Sequence, residues 1–196
     1  MDTTPDAPTV ALTTAGPPAT PITVREAVHE EYDEVGRLMV EAYEQYRPVF
    51  PSEFWEGYND DLRDVATRAE RAVILVGEEA GTIAGALALY PPGDPGSHWP
   101  QAWTGVRVLA VSPHHRRKGI ARILMDECVR RARAWGSPVL ALNTVGYMAP
   151  AVSLYESLGF RRLPEHEHFT ASGSVLRAYG IELVPGALAS SGEPPD

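Results

Sequence analysis

A chain of 196 residues, 44% hydrophobic and 22% charged, has the make-up of a soluble globular protein and the length for one domain with a sizeable core. Its formal net charge of −9 argues against general nucleic-acid binding. The same charge mildly favours cationic substrates, or serves only to keep the chain dispersed. A single cysteine, Cys128, excludes an internal disulfide, and no apolar run is long enough to cross a bilayer, so a cytoplasmic protein with no membrane partner is expected.

Residues 1–21 are rich in Thr, Pro and Ala, lack periodicity and read as a disordered tail. Residues 22–25 suit a first strand. Residues 26–47 read as a helix, because Val35, Leu38, Met39, Ala42, Tyr43 and Tyr46 recur at spacings of three and four. Pro48 and Pro51 end it. Ser52 suits the N-cap of a second helix running to Arg71, with acidic Glu53 in its first turn. Strands follow at 73–76 and 82–90, where Gly85 marks a bulge or a close backbone approach. Residues 91–100 form a Pro- and Gly-rich loop.

Residues 102–111 are the fourth strand, with Val106, Val108, Leu109, Ala110 and Val111 as its apolar run. Ser112-Pro113 stops it. A helix then carries Ile120, Ile123, Leu124, Cys128, Ala132 and Trp135 on one face, which makes Cys128 a core residue rather than a nucleophile. Gly136-Ser137-Pro138 ends that helix. Residues 139–143 are a fifth strand. Pro150 opens a short helix bearing Leu154, Tyr155 and Leu158, closed at Gly159. Strands at 160–162 and 174–184 complete a domain spanning 22–185, and 186–196 form a second disordered tail. This order gives an α/β (α+β) domain of three layers, with helices flanking a mixed, mostly antiparallel sheet of six to seven strands.

The turn between the fourth strand and its helix carries the most chemistry. Gly119 and Ala121 flank a helix start whose N–H groups have no intrahelical partner, and the helix dipole is positive there. Arg116, Arg117 and Lys118 add full charges, so the turn suits a pyrophosphate; a solvated basic turn is the plainer reading. It is neither a G-x-x-x-x-G-K-[ST] loop nor a G-x-G-x-x-G fingerprint. His114-His115 has no third ligand nearby, so no metal is expected.

The unit Val111-Ser112-Pro113 followed by Arg116-Arg117-Lys118-Gly119-Ile120-Ala121 resembles motif A of the GNAT superfamily of N-acetyltransferases. Leu154-Tyr155-Glu156-Ser157-Leu158-Gly159-Phe160 is similar to that family's L-Y-x-x-x-G-F. The resemblance covers residues 22–184, most strongly 106–160. It implies a sheet splayed between the fourth and fifth strands, with acetyl-CoA as co-substrate in the gap. It implies cofactor-arm contacts from the backbone of Leu109, Ala110 and Val111, and phosphate contacts from Arg116, Arg117, Lys118, Gly119, Ile120 and Ala121.

The implied reaction moves an acetyl group to a primary amine by direct attack in a ternary complex. Tyr155 matches the tyrosine that faces the CoA sulfur in many relatives and is the expected general acid; a core aromatic is its plainer reading. Two departures stand out. Many relatives carry a Glu on the fourth strand, where this chain has Arg107 and no carboxylate from 103 to 111. Met148 stands where many relatives have an Asn that contacts the cofactor arm, and Asn143 is the substitute expected here. The base is open among Glu41, Glu44, Glu53, Asp60, Tyr90 and His98. Tyr43, Tyr46, Phe50, Phe54, Trp55 and Tyr58 would suit an acceptor amine with an apolar or aromatic body, or else form a helix–helix core. The expected acceptor is a small molecule. A peptide or protein N-terminal amine is the alternative, a non-catalytic acyl-CoA sensor is a further one, and the family leaves a homodimer open.

Overall fold

The structure is a computed structural model that describes residues 21–50, 52–94, 98–169 and 173–188. The expected N-terminal tail lies outside these residues but for Pro21, and so does the C-terminal tail from 189 onward. β1 (Ile22–Glu26), β2 (Val73–Glu79), β3 (Thr82–Tyr90), β4 (Thr104–Val111), β5 (Val139–Val145), β6 (Arg161–Arg162), β7 (His168–Phe169) and β8 (Val175–Glu182) form one sheet. Its order is β1-β2-β3-β4-β5-β8-β6, with β7 paired to β8, and only β4 and β5 run parallel. The mixed sheet is as expected. The eighth strand, β7, was not legible because its two residues carry no periodicity.

Helices α1 (Tyr32–Tyr43), α2 (Ser52–Arg63) and α3 (Val65–Ala69) cover one face. Their core is Val35, Met39, Leu62 and Val65 against Ile74, Val76, Ala86 and Ala88. Helices α4 (Ile120–Ala134) and α5 (Ala149–Ser157) cover the other, with Leu124, Met125, Cys128 and Tyr155 against Leu75, Leu87, Val106 and Leu142. Cys128 is fully buried and its thiol is pushed up by desolvation, so it is a core residue. No helix among the described residues is long and apolar enough to cross a membrane.

Four boundaries differ from the sequence reading. The first helix starts only at Tyr32, after a single 3-10 turn at His29–Glu31, because β1 pairs with β2 through Glu26. It passes at Glu44 into a 3-10 segment, Glu44–Val49, that tolerates Pro48. The second helix breaks at Asp64, whose carboxylate accepts the Thr67 N–H at 3.0 Å and caps α3. Residues 186–188, expected as tail, fold back: Ala187 and Leu188 pack on the Trp99–Trp103 cluster.

Gly85 is a close approach as well as a neighbour of a bulge. A Cβ there would lie 2.8 Å from Ile120 Cγ2 and 3.0 Å from the Ala110 carbonyl oxygen. The start of α4 therefore rests directly on the backbone of β3. The β3–β4 register shifts between Ala86 and Ala88, opposite Val108, which is held at φ +53°. A β-branched residue in that region is strained by about 1–3 kcal/mol, a cost typical of functional sites.

Candidate active site

The strained bulge sits where the sheet opens. β4 pairs with β5 only from Thr104 to Val106, whereas β5 stays paired with β8 along its whole length to Val145. Residues 107–111 therefore have no partner on the β5 side. Ser112 N–H donates to the Ala84 carbonyl at 2.9 Å, so strand alternation turns the Leu109 and Val111 N–H groups toward the gap. Ala110 turns its N–H to β3 and its methyl to the core, so of the three expected backbone donors two face the gap.

The gap joins two cavities. The narrower, about 250 Å³, is lined by 106–111 of β4, by Leu142, Asn143 and Thr144 of β5, by Arg116 and Ala121 at the start of α4, and by Leu154 and Tyr155 of α5. The larger, about 570 Å³, is walled by Phe50, Phe54, Tyr58, Tyr90, Trp99 and Tyr147, with Asp61, Asp94, His98 and His168 among its polar groups. Tyr43, Val106, Arg107, Val108, Asn143, Thr144 and Met148 line both. Asn143 Nδ2 and Thr144 Oγ1 are buried there without a hydrogen-bond partner. Such groups are costly to bury unsatisfied, and they mark where a ligand's polar atoms fit.

At the mouth of the narrow cavity, Arg117 (φ +64°) and Gly119 (φ +83°) turn the chain into α4. Gly119 is the N-cap, a left-handed position that costs glycine nothing. The first intrahelical bond runs from Ile123 N–H to Gly119 O at 3.0 Å, which leaves the N–H groups of Gly119, Ile120, Ala121 and Arg122 without helical acceptors. Arg116 is braced across the cavity by Gln45 Oε1 and the Ala42 carbonyl, both at 3.2 Å. Arg117 is exposed. Lys118 is held by Glu79 at 2.7 Å, so its charge is partly spent within the fold. The Ile120 side chain is 1% exposed and anchors the helix, so only its backbone serves the site. His115 and His114 pair with Glu79 and Glu41, each at 3.5 Å, and no group of three metal-binding side chains exists among the described residues.

Tyr155 lines the narrow cavity from α5. The helix ends there in a Schellman motif: Phe160 N–H donates to Tyr155 O, and Gly159 N–H to Glu156 O, both at 3.0 Å. The Phe160 ring packs at 5.9 Å and Tyr179 at 6.4 Å, fixing the phenol. Its pKa is raised by burial first, then by Tyr43 and Tyr46 across the gap. Burial likewise raises Tyr43 and Tyr58, and pushes Tyr147 up to about 12. These phenols stay protonated at neutral pH, so they donate hydrogen bonds or protons and none serves as a base.

Of the expected base candidates, Glu41, Glu44 and Asp60 are exposed, and Glu44 is paired with Arg47. The Glu53 side chain lies outside the description. Tyr90 and His98 do reach the larger cavity, where the His98 ring meets His168 at 5.1 Å. Sequence reasoning missed His168, Tyr147 and Thr144. Tyr147 packs on Phe50 and Tyr46 across the gap, and a lone aromatic in a short loop was its only signal.

An α/β sheet opened between its two parallel strands, with a glycine-capped helix start and its free N–H groups at the mouth, defines the class. Residues 35–160 match the acetyltransferase (GNAT) family, and the chain belongs to that family. Streptothricin acetyltransferase of Streptomyces lavendulae is 36% identical over 90 residues, 46% of this chain and 44% of that protein. N-acetyltransferase family 8 member 3 of Rattus norvegicus is 29% identical over 119 residues, 57% of this chain and 51% of that protein. The chain thus spans about half the length of these curated relatives. The structure of PaiA N-acetyltransferase from Thermoplasma acidophilum, in complex with coenzyme A, shares the fold with a TM-score of 0.63 at 15% identity, over 81% of this chain and 98% of that one.

Proposed function

We propose that this chain is an acetyl-CoA-dependent N-acetyltransferase that acetylates a primary amine of a small molecule by direct attack in a ternary complex. The observation that carries the reading is the opened gap, which connects a narrow cavity at an anion-binding helix start to a larger aromatic cavity. The residues present fit acetyl-CoA. The free N–H groups of Gly119 to Arg122, with Arg116 and Arg117, suit the pyrophosphate. Leu109 and Val111 N–H and the orphaned Asn143 amide suit the carbonyls of the arm and thioester. Acetyl-CoA supplies an acyl thioester to this frame.

In the transfer the amine nitrogen bonds to the thioester carbon and the C–S bond breaks. The amine gives up one proton and the departing thiolate takes one. Tyr155, held neutral at the inner end of the narrow cavity, is the donor to sulfur. His98 and His168 are imidazoles on the wall of the larger cavity and are the proposed acceptors of the amine proton. One relative is by name a streptothricin acetyltransferase, which supports a small-molecule acceptor.

The test is acetyl-CoA turnover, read as free thiol release, across amino acids, aryl-alkyl amines, polyamines, aminoglycosides and short peptides. Turnover with a small amine supports the proposal. Turnover confined to peptides replaces the acceptor. Calorimetric binding of acetyl-CoA with no turnover would leave a sensor.

A further inference from the structure

The larger cavity is lined by three side chains of full charge, and one of them has no ion-pair partner among the described residues. Asp61 receives Arg68 at 3.1 Å, and Asp94 receives Arg71 Nε at 2.9 Å. Arg107 lies on the opened stretch of β4 and lines both cavities. Among the described residues its guanidinium makes no ion pair and no hydrogen bond. Its one side-chain partner is the Tyr90 ring, 5.8 Å from Cζ. Each acid is paired with an arginine of the fold, which leaves Arg107 as the full charge of the cavity lining that has no ion-pair partner among the described residues.

An arginine laid on an aromatic ring keeps its planar fork free, and the fork matches a carboxylate in two-point geometry. Position adds a constraint. Arg107 stands where the two cavities meet, so an anion bound to it sits beside the gap. An amine one carbon away from that anion then faces the gap, and the remaining body points toward Phe50, Phe54, Tyr58 and Tyr147. A cavity of about 570 Å³ has room for that body.

We propose that the acceptor is a free α-amino acid with a large apolar or aromatic side chain, its carboxylate held by Arg107. The inference rests on the N-acetyltransferase reading and names the acceptor for that site. A peptide N-terminus would put a neutral amide, not a carboxylate, against the guanidinium. A simple aryl-alkyl amine would leave it empty.

The experiment measures kcat/KM by thiol release for phenylalanine, phenylalanine amide, phenethylamine and glycine, with wild type, Arg107→Met and Arg107→Lys. Calorimetry with acetyl-CoA reports that each variant is folded. Wild type prefers phenylalanine over phenethylamine, over the amide and over glycine. In Arg107→Met the phenylalanine to phenethylamine ratio falls by about 10- to 100-fold, as expected for loss of a charged hydrogen-bonded partner, and the change appears in the amino acid's KM. Arg107→Lys keeps part of the preference, and carries the test alone if the Met variant does not fold. A ratio equal in wild type and variants, or a wild-type preference for the amide or phenethylamine, overturns the inference and leaves the enzyme standing. Absence of turnover with every amine, peptides included, overturns both readings.

Discussion

The two sides of the opened sheet are built in opposite ways. Most of the expected cofactor side is contiguous: one strand, one turn and one helix, residues 104–134, supply the gap-facing N–H groups, the helix start with its free N–H groups and Arg116. The acceptor side is assembled from α1, α2, the β3–β4 loop, β4, the β5–α5 loop and the β7–β8 hairpin. The first uses backbone, which every side chain shares. The second uses side chains, which vary freely. Arg107 lies where the two cavities meet and lines both.

Breaking the cofactor side should give the largest effect. Gly119→Asp would cap the free N–H groups with its own carboxylate and repel phosphate. Acetyl-CoA affinity is expected to fall about 100-fold, from loss of charge-assisted hydrogen bonds, with stability lowered by about 1 kcal/mol because an L-residue at φ +83° is strained. Calorimetry and a melting curve on the same sample check this. At the join, Tyr155→Phe should lower kcat about 10- to 100-fold with both KM values nearly fixed, as expected when a proton donor to a fair leaving group is lost. An unchanged kcat would make Tyr155 a core aromatic only.

On the acceptor side, Phe54→Ala removes a ring stacked between Phe50 and Tyr58 at 5.2 and 5.8 Å. It should raise KM for apolar-bodied amines about 10-fold, from roughly 1.5 kcal/mol of lost burial, and leave the acetyl-CoA KM in place. The smallest effect concerns the outer face of α4. Arg130 first, then Arg131, holds Glu127 down from its ordinary 4.5 to about 2. The unfolded carboxylate titrates at the higher value. The stabilisation is therefore complete above about pH 4.5 and lost as pH falls through about 2. Glu127→Gln should flatten that window by about 1 kcal/mol, read from urea midpoints at pH 5 and pH 2.5.

The same contrast governs what a reader of the sequence can see. The strand–turn–helix at 104–134 and the short helix bearing Tyr155 were legible because their signals are local: proline stops, capping glycines and apolar spacing act within a few residues. The break at Asp64 was hidden by unbroken apolar spacing, and β7 by its two-residue length. Of the expected cofactor contacts, Lys118 was visible as a charge, but its pairing with Glu79, 39 residues earlier in β2, was not.

By itself, then, the sequence determined the family's mixed sheet, the glycine turn that opens α4 and the helix that carries Tyr155, since each depends on residues close together in the chain. Only the tertiary structure decided the acceptor cavity and the solitary charge in it. Tyr43, Phe54, Tyr90, Arg107, Tyr147 and His168 meet because β5 leaves β4 at Val106 to follow β8, and because Val108 is twisted out of register against β3. Those pairings balance energies between strands tens of residues apart in the chain, and no local pattern records the balance.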